Sequence, residues 1–327
     1  MLSIKNLTVE FSVTTGAKKQ QVLKAVNNAS LQIKQGETVA IVGESGSGKS
    51  QLFNALMGLL PKNAKVSGEI EFIGQPLLDL ELKQLNQIRG KEIGMIFQDP
   101  MTALNPYLRI GKQLTEVLEI HRSTENPLDK NAIKAKAIKM LERVHIDNAE
   151  QRFNSYPHEL SGGMRQRVVI AMALLCKPKL IIADEPTTAL DVTIQTEIIR
   201  LLKEIHKAEK TSIVLITHDL PVVAGLCERI MVMYAGRIVE SGTIDDIFNH
   251  ARHPYTQALL AATPQNISKK GRMKSIDGQP PDPLNLPTGC AFNSRCAYAK
   301  PNCFEKQPEE TSLNSHHQFR CFMGIDE

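Results

Sequence analysis

A stretch of eight residues, GESGSGKS, has the residue types and the spacing of a loop that binds phosphate. It follows an apolar run typical of a buried strand and precedes a segment with apolar residues at helical spacing, which is the context that such a loop requires. Its glycines let backbone N–H groups point at a β-phosphate, while the lysine reaches the β- and γ-phosphate oxygens and the last serine offers a hydroxyl to Mg²⁺. The alternative, a glycine-rich turn with an incidental lysine, is disfavoured by the flanking strand and helix. The predicted residues of this phosphate loop are Gly43, Glu44, Ser45, Gly46, Ser47, Gly48, Lys49 and Ser50.

Two carboxylates follow a second apolar run, LIIADEP. Asp184 is predicted to hold Mg²⁺ directly or through water, and Glu185 to orient and polarise an attacking water as the general base. Acidic residues after a buried strand also cap the next helix, and this is the alternative. The presence of a phosphate loop in the same chain favours the catalytic interpretation.

Polar side chains also follow two other apolar runs. Gln98 comes after IGMIF and His218 after IVLIT, and the carboxyl ends of parallel strands face the ligand crevice of such a sheet. Gln98 is predicted to contribute to the nucleotide and Mg²⁺ site, and His218 to contact a γ-phosphate. For His218 a surface or core position is the alternative. For Phe11 two interpretations are open, stacking on an adenine ring or an ordinary core aromatic on an edge strand.

A second phosphate cradle is indicated by the stretch LSGGMRQR. Ser161, Gly162 and Gly163 lead into an apolar helix, and oriented N–H groups at a helix N-terminus bind anions. The chain therefore carries two half-sites for the same kind of ligand.

The elements around these motifs alternate between apolar strands and helices, which predicts an α/β fold with a parallel sheet covered on both sides. Residues 100–176 have a mostly helical texture. Within them one helix is predicted to bury a single face, formed by Ile133, Ala137, Met140, Leu141 and Val144. From about residue 262 the pattern dissolves into a proline-rich linker.

Four of the six cysteines crowd into the last forty residues with the spacing C-x5-C-x6-C-x17-C. Four thiolates suit zinc or an iron–sulfur cluster, and the lack of a CxxC knuckle favours [4Fe–4S]. Zinc, no metal at all, and His316 or His317 as a substitute ligand are the alternatives. The predicted iron–sulfur ligands are Cys290, Cys296, Cys303 and Cys321.

Composition narrows the class of protein. The chain has 327 residues, 42% hydrophobic content and a net charge of +4, without a long basic block, so nucleic acid is not expected as a partner. The longest apolar run, residues 168–176, is half of what a membrane span needs, and the N-terminus lacks the features of a signal peptide. A cytoplasmic protein with reduced thiols is expected.

Taken together, these motifs resemble those of the ATP-binding subunits of ABC transporters. In that family GESGSGKS is the Walker A loop, Gln98 the Q-loop glutamine, LSGGM the signature, LIIADE the Walker B strand, ALD at residues 189–191 the D-loop with Asp191, and His218 the switch histidine. The resemblance implies ATP and Mg²⁺ as ligands. It also implies that the signature of one subunit closes over the ATP held by a facing subunit.

The resemblance further implies a division of the chain into three parts. A P-loop NTPase core with an antiparallel β subdomain is expected over residues 1–99 and 177–261. A helical signature subdomain is expected over residues 100–176, and a small cysteine-rich C-terminal extension over residues 262–327.

Longer strings are similar to one branch of the family, the oligopeptide, dipeptide and nickel importers of bacteria, and most of all to their D-type peptide permease ATPases. These strings are FQDPMTALNP, DEPTTALDVTIQ, MYAGRIVESG and HPYTQALL. The branch implies peptide uptake from the cytoplasmic face of the inner membrane. The implied partners are a homologous second ATPase in a heterodimer, two transmembrane permease subunits and an extracytoplasmic peptide-binding protein.

Three other hypotheses remain open at this point. The cargo is nickel or another small solute in one of them. In the second the chain is a nucleic-acid or ribosome-associated ABC ATPase, although it lacks the long coiled coil or the paired ATPase units of those proteins. The third treats the cysteine tail as a redox sensor that gates the ATPase.

Overall fold

The structure, a computed structural model, describes residues 1–15, 19–121, 129–188, 190–263 and 276–323. Ala189 of the predicted D-loop lies outside these ranges, as do residues 122–128 of the predicted helical subdomain and 264–275 and 324–327 of the predicted extension. The chain divides into two compact units. The first comprises Met1–Lys34, Thr38–Asp79 and Ile216–Glu327, and the second comprises Gln35–Glu37 and Leu80–Leu215.

The described residues form twelve strands and twelve α-helices. The strands are β1 (Leu2–Thr15), β2 (Lys19–Ile33), β3 (Thr38–Val42), β4 (Ala64–Phe72), β5 (Gln75–Pro76), β6 (Ile93–Ile96), β7 (Leu180–Asp184), β8 (Ser212–Thr217), β9 (Arg229–Tyr234), β10 (Arg237–Thr243), β11 (Thr311–Ser312) and β12 (Gln318–Phe319). The helices are α1 (Lys49–Leu56), α2 (Leu82–Ile88), α3 (Pro100–Ala103), α4 (Ile110–Ile120), α5 (Lys130–Arg143), α6 (Ala149–Phe153), α7 (Gly162–Leu174), α8 (Val192–Glu209), α9 (Leu220–Leu226), α10 (Ile244–His250), α11 (Pro254–Ala261) and α12 (Pro301–Glu305).

The first unit contains an antiparallel sheet of the order β2-β1-β4-β5. It also contains β3, which pairs in parallel with β9, and β9 continues through β10 and β12 to β11 in antiparallel pairs. Every residue of β3, TVAIV, is buried. Such a continuous apolar run is typical of a strand covered on both faces.

The second unit combines a parallel strand pair with most of the helices. β6 and β7 pair in parallel, and β8 is the neighbour of β7. The predicted buried face of α5 is confirmed, because Ile133, Ala137, Met140, Leu141 and Val144 are all buried. A helix that buries one stripe packs against its neighbours, here α4, α6 and α7.

None of the described helices combines the length and the apolar character that a membrane span demands. In the ranges that the structure describes, the chain is an α/β protein that combines an antiparallel sheet, parallel strand pairs and a helical region.

Candidate nucleotide-binding site

The phosphate loop connects β3 to α1 and is shaped by two glycines that no other residue type can replace. Gly48 is the N-cap of α1 at φ +97°, and a Cβ there would lie 2.1 Å from the carbonyl oxygen of Ala25. A Cβ at Gly43 would lie 2.2 Å from the carbonyl oxygen of Met233. The loop therefore passes directly against the backbone of two neighbouring strands, an approach that only glycine permits.

Lys49 lies inside this loop with only 5% of its surface exposed. Its ammonium donates hydrogen bonds to the carbonyl oxygens of Gly43, at 2.8 Å, and Glu44, at 2.9 Å. Two carbonyls thus fix the position of the charge at the start of α1, where helix dipole and backbone N–H groups also favour an anion.

Glu44 is bonded through its backbone and its side chain. Its N–H donates to the hydroxyl of Tyr255 at 2.8 Å, and its carboxylate accepts two hydrogen bonds from the guanidinium of Arg295, at 2.7 and 3.0 Å. Sequence reasoning missed Tyr255 and Arg295, which are more than 200 residues away in the chain. The string HPYTQALL contained Tyr255, but nothing in it indicated a contact with the loop.

In the second unit, the predicted catalytic carboxylates lie where β7 ends. Asp184, the last residue of the strand, is buried, and Glu185 follows in the left-handed region at φ +45°. The Glu185 carboxylate accepts hydrogen bonds from the Gln98 amide, at 3.0 Å, and from the Thr188 hydroxyl, at 2.9 Å. The structure therefore brings Gln98 and Glu185 together, and it adds Thr188, which sequence reasoning did not single out.

The LSGGM stretch forms the start of α7. Ser161 is the N-cap, and its hydroxyl accepts a hydrogen bond from the Met164 N–H at 3.3 Å. Asp191 caps the neighbouring helix α8 in the same way, at 2.9 Å from the N–H of Ile194. A Cβ at Gly163 would lie 3.0 Å from the side chain of Ile194, so the starts of the two helices pack closely.

Two further predicted residues lie in the first unit. His218 is exposed directly after β8. Phe11 is half-buried on β1 and pairs with Leu23 of β2 and Ala64 of β4. Because β1 has a partner on each side here, the edge-strand interpretation of Phe11 is wrong, while its stacking on adenine stays a prediction. The nucleotide roles of the other motif residues also stay predictions.

The predicted iron–sulfur site is wrong. In the ranges that the structure describes, which contain all four tail cysteines, no group of three or more His, Cys, Asp or Glu residues is placed to hold a metal ion. Burial raises the pKa of the Cys290 and Cys296 thiols and raises that of Cys321 to about 11. Burial thus favours the neutral thiol at these three cysteines.

The fold and these residues define a class of protein. A phosphate loop between a buried parallel strand and a helix, in a chain with carboxylates at the end of another parallel strand, is the arrangement of P-loop nucleotide-binding proteins. Models of two protein families match the chain, "ABC transporter" over residues 26–188 and "Oligopeptide/dipeptide transporter, C-terminal region" over residues 239–303.

Individual relatives agree over the whole length. The oligopeptide transport ATP-binding protein OppD of Haemophilus influenzae is 50% identical, with 100% of this chain and 98% of that protein covered. The dipeptide transport ATP-binding protein DppD of the same organism is 47% identical over 100% of this chain and 96% of its own. Among solved structures, the dimeric post-hydrolysis form of the ATP-binding cassette MJ0796, bound to ADP and Pi, has a TM-score of 0.65 at 31% identity. That similarity covers 75% of this chain and 99% of the cassette.

The chain belongs to the ABC transporter family, in the group of oligopeptide and dipeptide transport ATP-binding proteins. The resemblance that the sequence motifs indicated is thereby confirmed, and the α/β fold is that of an ABC ATPase cassette.

Proposed function

We propose that this chain hydrolyses ATP to power the uptake of dipeptides and oligopeptides through a membrane permease. The observation that carries the proposal is similarity of 47–50% identity, over essentially the whole chain, to proteins named for peptide transport. The chain is an ABC-type ATPase and a peripheral subunit of the membrane transporter. The names of these relatives favour peptide cargo over the nickel alternative and over a role on nucleic acid.

The phosphate loop and the end of β7 supply the proposed chemistry. Lys49 binds the β- and γ-phosphate oxygens, and Glu185 acts as the general base on the attacking water. The hydrogen bonds that Gln98 and Thr188 donate to one oxygen of the Glu185 carboxylate orient this base. His218 contacts the γ-phosphate, and Phe11 stacks on the adenine in this proposal.

The oxygen donors of the chain fit a magnesium ion. Ser50 offers a hydroxyl in the first turn of α1, Asp184 a buried carboxylate and Gln98 an amide oxygen, and Mg²⁺ prefers such oxygen ligands together with phosphate. When bound, Mg²⁺ neutralises charge that develops on the β- and γ-phosphate oxygens.

We also propose that two ATPase subunits share their nucleotides. The solved cassette with a TM-score of 0.65 is dimeric and holds ADP and Pi, which supports dimeric action here. Ser161, Gly162 and Gly163 then face the ATP of the neighbouring subunit, and Asp191 lies at the same surface. The neighbour is a homologous second ATPase.

The remaining partners follow from peptide transport itself. Two transmembrane permease subunits carry the cargo, and an extracytoplasmic peptide-binding protein delivers it. For the chain we propose a nucleotide-binding core over residues 1–99 and 177–261, a helical signature subdomain over residues 100–176, and a C-terminal extension over residues 262–327.

The test is peptide uptake by cells in which the gene for the Glu185→Gln variant replaces the natural gene. Removal of the general base should lower ATP turnover by about 10²-fold or more, with ATP binding retained, and abolish uptake of a labelled dipeptide and tripeptide. The matched control is Glu204→Gln, because Glu204 is exposed on α8 and pairs with the surface side chains of Arg200 and His145. Uptake of labelled nickel that depends on Glu185 while peptide uptake does not would refute the peptide assignment.

A further inference from the structure

The C-terminal segment, residues 276–323, contacts the phosphate loop through an ion pair. Arg295 and Glu44 are joined by two hydrogen bonds, Nη1 to Oε2 at 2.7 Å and Nη2 to Oε1 at 3.0 Å. The Arg295 side chain is only 3% exposed and that of Glu44 is 26% exposed. Such a paired, charge-assisted contact fixes geometry as well as charge.

Arg295 is itself held in place on all sides. Its Nε donates to the carbonyl of Asp277 at 2.9 Å, and Nη2 donates to that of Ile276 at 3.3 Å. Nη1 also donates to the Tyr234 hydroxyl at 3.2 Å. The guanidinium lies 5.9 Å from the ring centroid of Tyr234 and 5.8 Å from that of Phe292. Contacts with the segment and with Tyr234 of β9 therefore also hold Arg295 in position.

The ion pair of Glu44 and Arg295 is connected to Lys49 of the loop through hydrogen bonds. The carbonyl of Glu44 accepts a hydrogen bond from the Lys49 ammonium, and its N–H donates to Tyr255, whose ring packs against Phe292 of the segment at 5.4 Å between centroids. Residues 44–47 of the loop also line one cavity with Pro280, Pro281 and Pro283. The segment thus contacts the loop directly at the Glu44 side chain and at this cavity, and it reaches the Glu44 backbone through Tyr255.

The negative charge of Glu44 makes its contact with Arg295 important for the binding of a triphosphate. A loop that binds a triphosphate carries the Glu44 carboxylate, and like charges a few ångströms apart repel each other strongly where water is partly excluded. The Arg295 guanidinium offsets that negative charge, and Glu44 in turn raises the pKa of Arg295, so the arginine stays charged. Without Arg295 the Glu44 carboxylate would lose its partner within a loop that binds phosphates.

We infer that Arg295 is a positioning residue for ATP, through which the C-terminal segment neutralises and holds Glu44 in the phosphate loop. This rests on the proposed function, because it assumes that the loop binds ATP. Arg295 therefore affects the affinity for ATP. It acts through Glu44 and does not contact the reacting atoms.

The test measures ATP affinity and the KM and kcat of hydrolysis in the assembled transporter. Arg295→Gln should weaken ATP binding and raise KM by about tenfold, which corresponds to about 1.4 kcal/mol, while kcat at saturating ATP changes less than about threefold. Arg295→Lys keeps the charge and loses the paired geometry, so an intermediate loss is expected. The control is Arg320→Gln in the same segment, which breaks a contact with Glu310 that does not involve the loop.

The double variant Glu44→Gln/Arg295→Gln separates positioning from stability. It should bind ATP more tightly than Arg295→Gln, because it removes the carboxylate that Arg295 neutralises, whereas a merely structural role would leave the double variant no tighter than Arg295→Gln. Unchanged ATP affinity in Arg295→Gln, or no recovery in the double variant, would overturn the inference. If Arg295→Gln does not fold, an ATP affinity of Arg295→Lys equal to that of the wild type would overturn the inference. Failure of the wild-type protein to bind ATP would instead refute the proposed function.

Discussion

At the scale of single residues, the site depends on backbone conformations that few residue types adopt. Glu185 lies at φ +45°, a costly conformation for a residue with a side chain, and the bonds from Gln98 and Thr188 hold its carboxylate there. Gly48 needs both a left-handed backbone and the absence of a Cβ. Residue types at these positions are therefore fixed by geometry before any chemistry is considered.

Gly48→Ala tests the close approach of the phosphate loop to Ala25. The new Cβ combines left-handed strain, about 1–2 kcal/mol, with overpacking against a backbone oxygen, about 1–3 kcal/mol. We expect a loss of roughly 2–5 kcal/mol in the free energy of unfolding and the loss of ATP binding, measured by urea denaturation and equilibrium binding.

The matched control for this prediction is Gly74→Ala. Gly74 lies at φ +78° in the turn between β4 and β5, and a Cβ there would meet nothing within 4 Å. The Gly74→Ala variant should therefore lose only the free energy of unfolding that corresponds to the conformational strain. Equal losses for the two variants would show that the contact with Ala25 is not what requires glycine.

At the scale of elements, the sequence predicts what depends on local pattern. The uninterrupted apolar runs of β3, β7 and β8 are buried along their whole length, and the stripe of α5 faces inward as its spacing predicts. The pair of Glu44 and Arg295, separated by 251 residues, has no such pattern, because tertiary folding alone brings the two together. The tail cysteines are the opposite case: their spacing predicted a metal site that the structure does not form, because spacing along the chain does not determine how thiols are placed in space.

Ser161→Ala tests the element that begins with the signature. The loss of the cap of α7 should lower stability by about 1 kcal/mol, as for other N-caps. If Ser161 also binds ATP held by the neighbouring subunit, ATP hydrolysis by the assembled transporter should fall by about tenfold or more.

Asp129→Ala is the control, because Asp129 caps α5 of the same unit through the N–H of Ala132 at 2.6 Å. It should cost similar stability in thermal unfolding and leave hydrolysis near the wild-type rate. Equal hydrolysis by the two variants would contradict the role of Ser161 across the subunit interface.

At the scale of the whole molecule, helix α11 is expected to affect both the stability of the fold and nucleotide binding. His253 is the N-cap of this helix, and its Nδ1 accepts a hydrogen bond from the N–H of Tyr255 at 3.0 Å. Tyr255 in turn supports Glu44 in the phosphate loop. Whatever disturbs His253 is therefore expected to reach the nucleotide site as well as the fold.

The protonation of His253 predicts how the stability of the chain depends on pH. The side chain is buried, and burial lowers its pKa from the ordinary value near 6.5 to about 4. Between these two values the unfolded chain binds a proton that the folded chain does not, so the free energy of unfolding falls as pH decreases through this window, by at most about 1.4 kcal/mol per pH unit. His253→Asn keeps an oxygen to accept the Tyr255 N–H and does not titrate. Urea denaturation at pH 7, 6 and 5 should therefore show a smaller loss of stability for the variant than for the wild type, and parallel losses would mean that His253 is not the group that titrates.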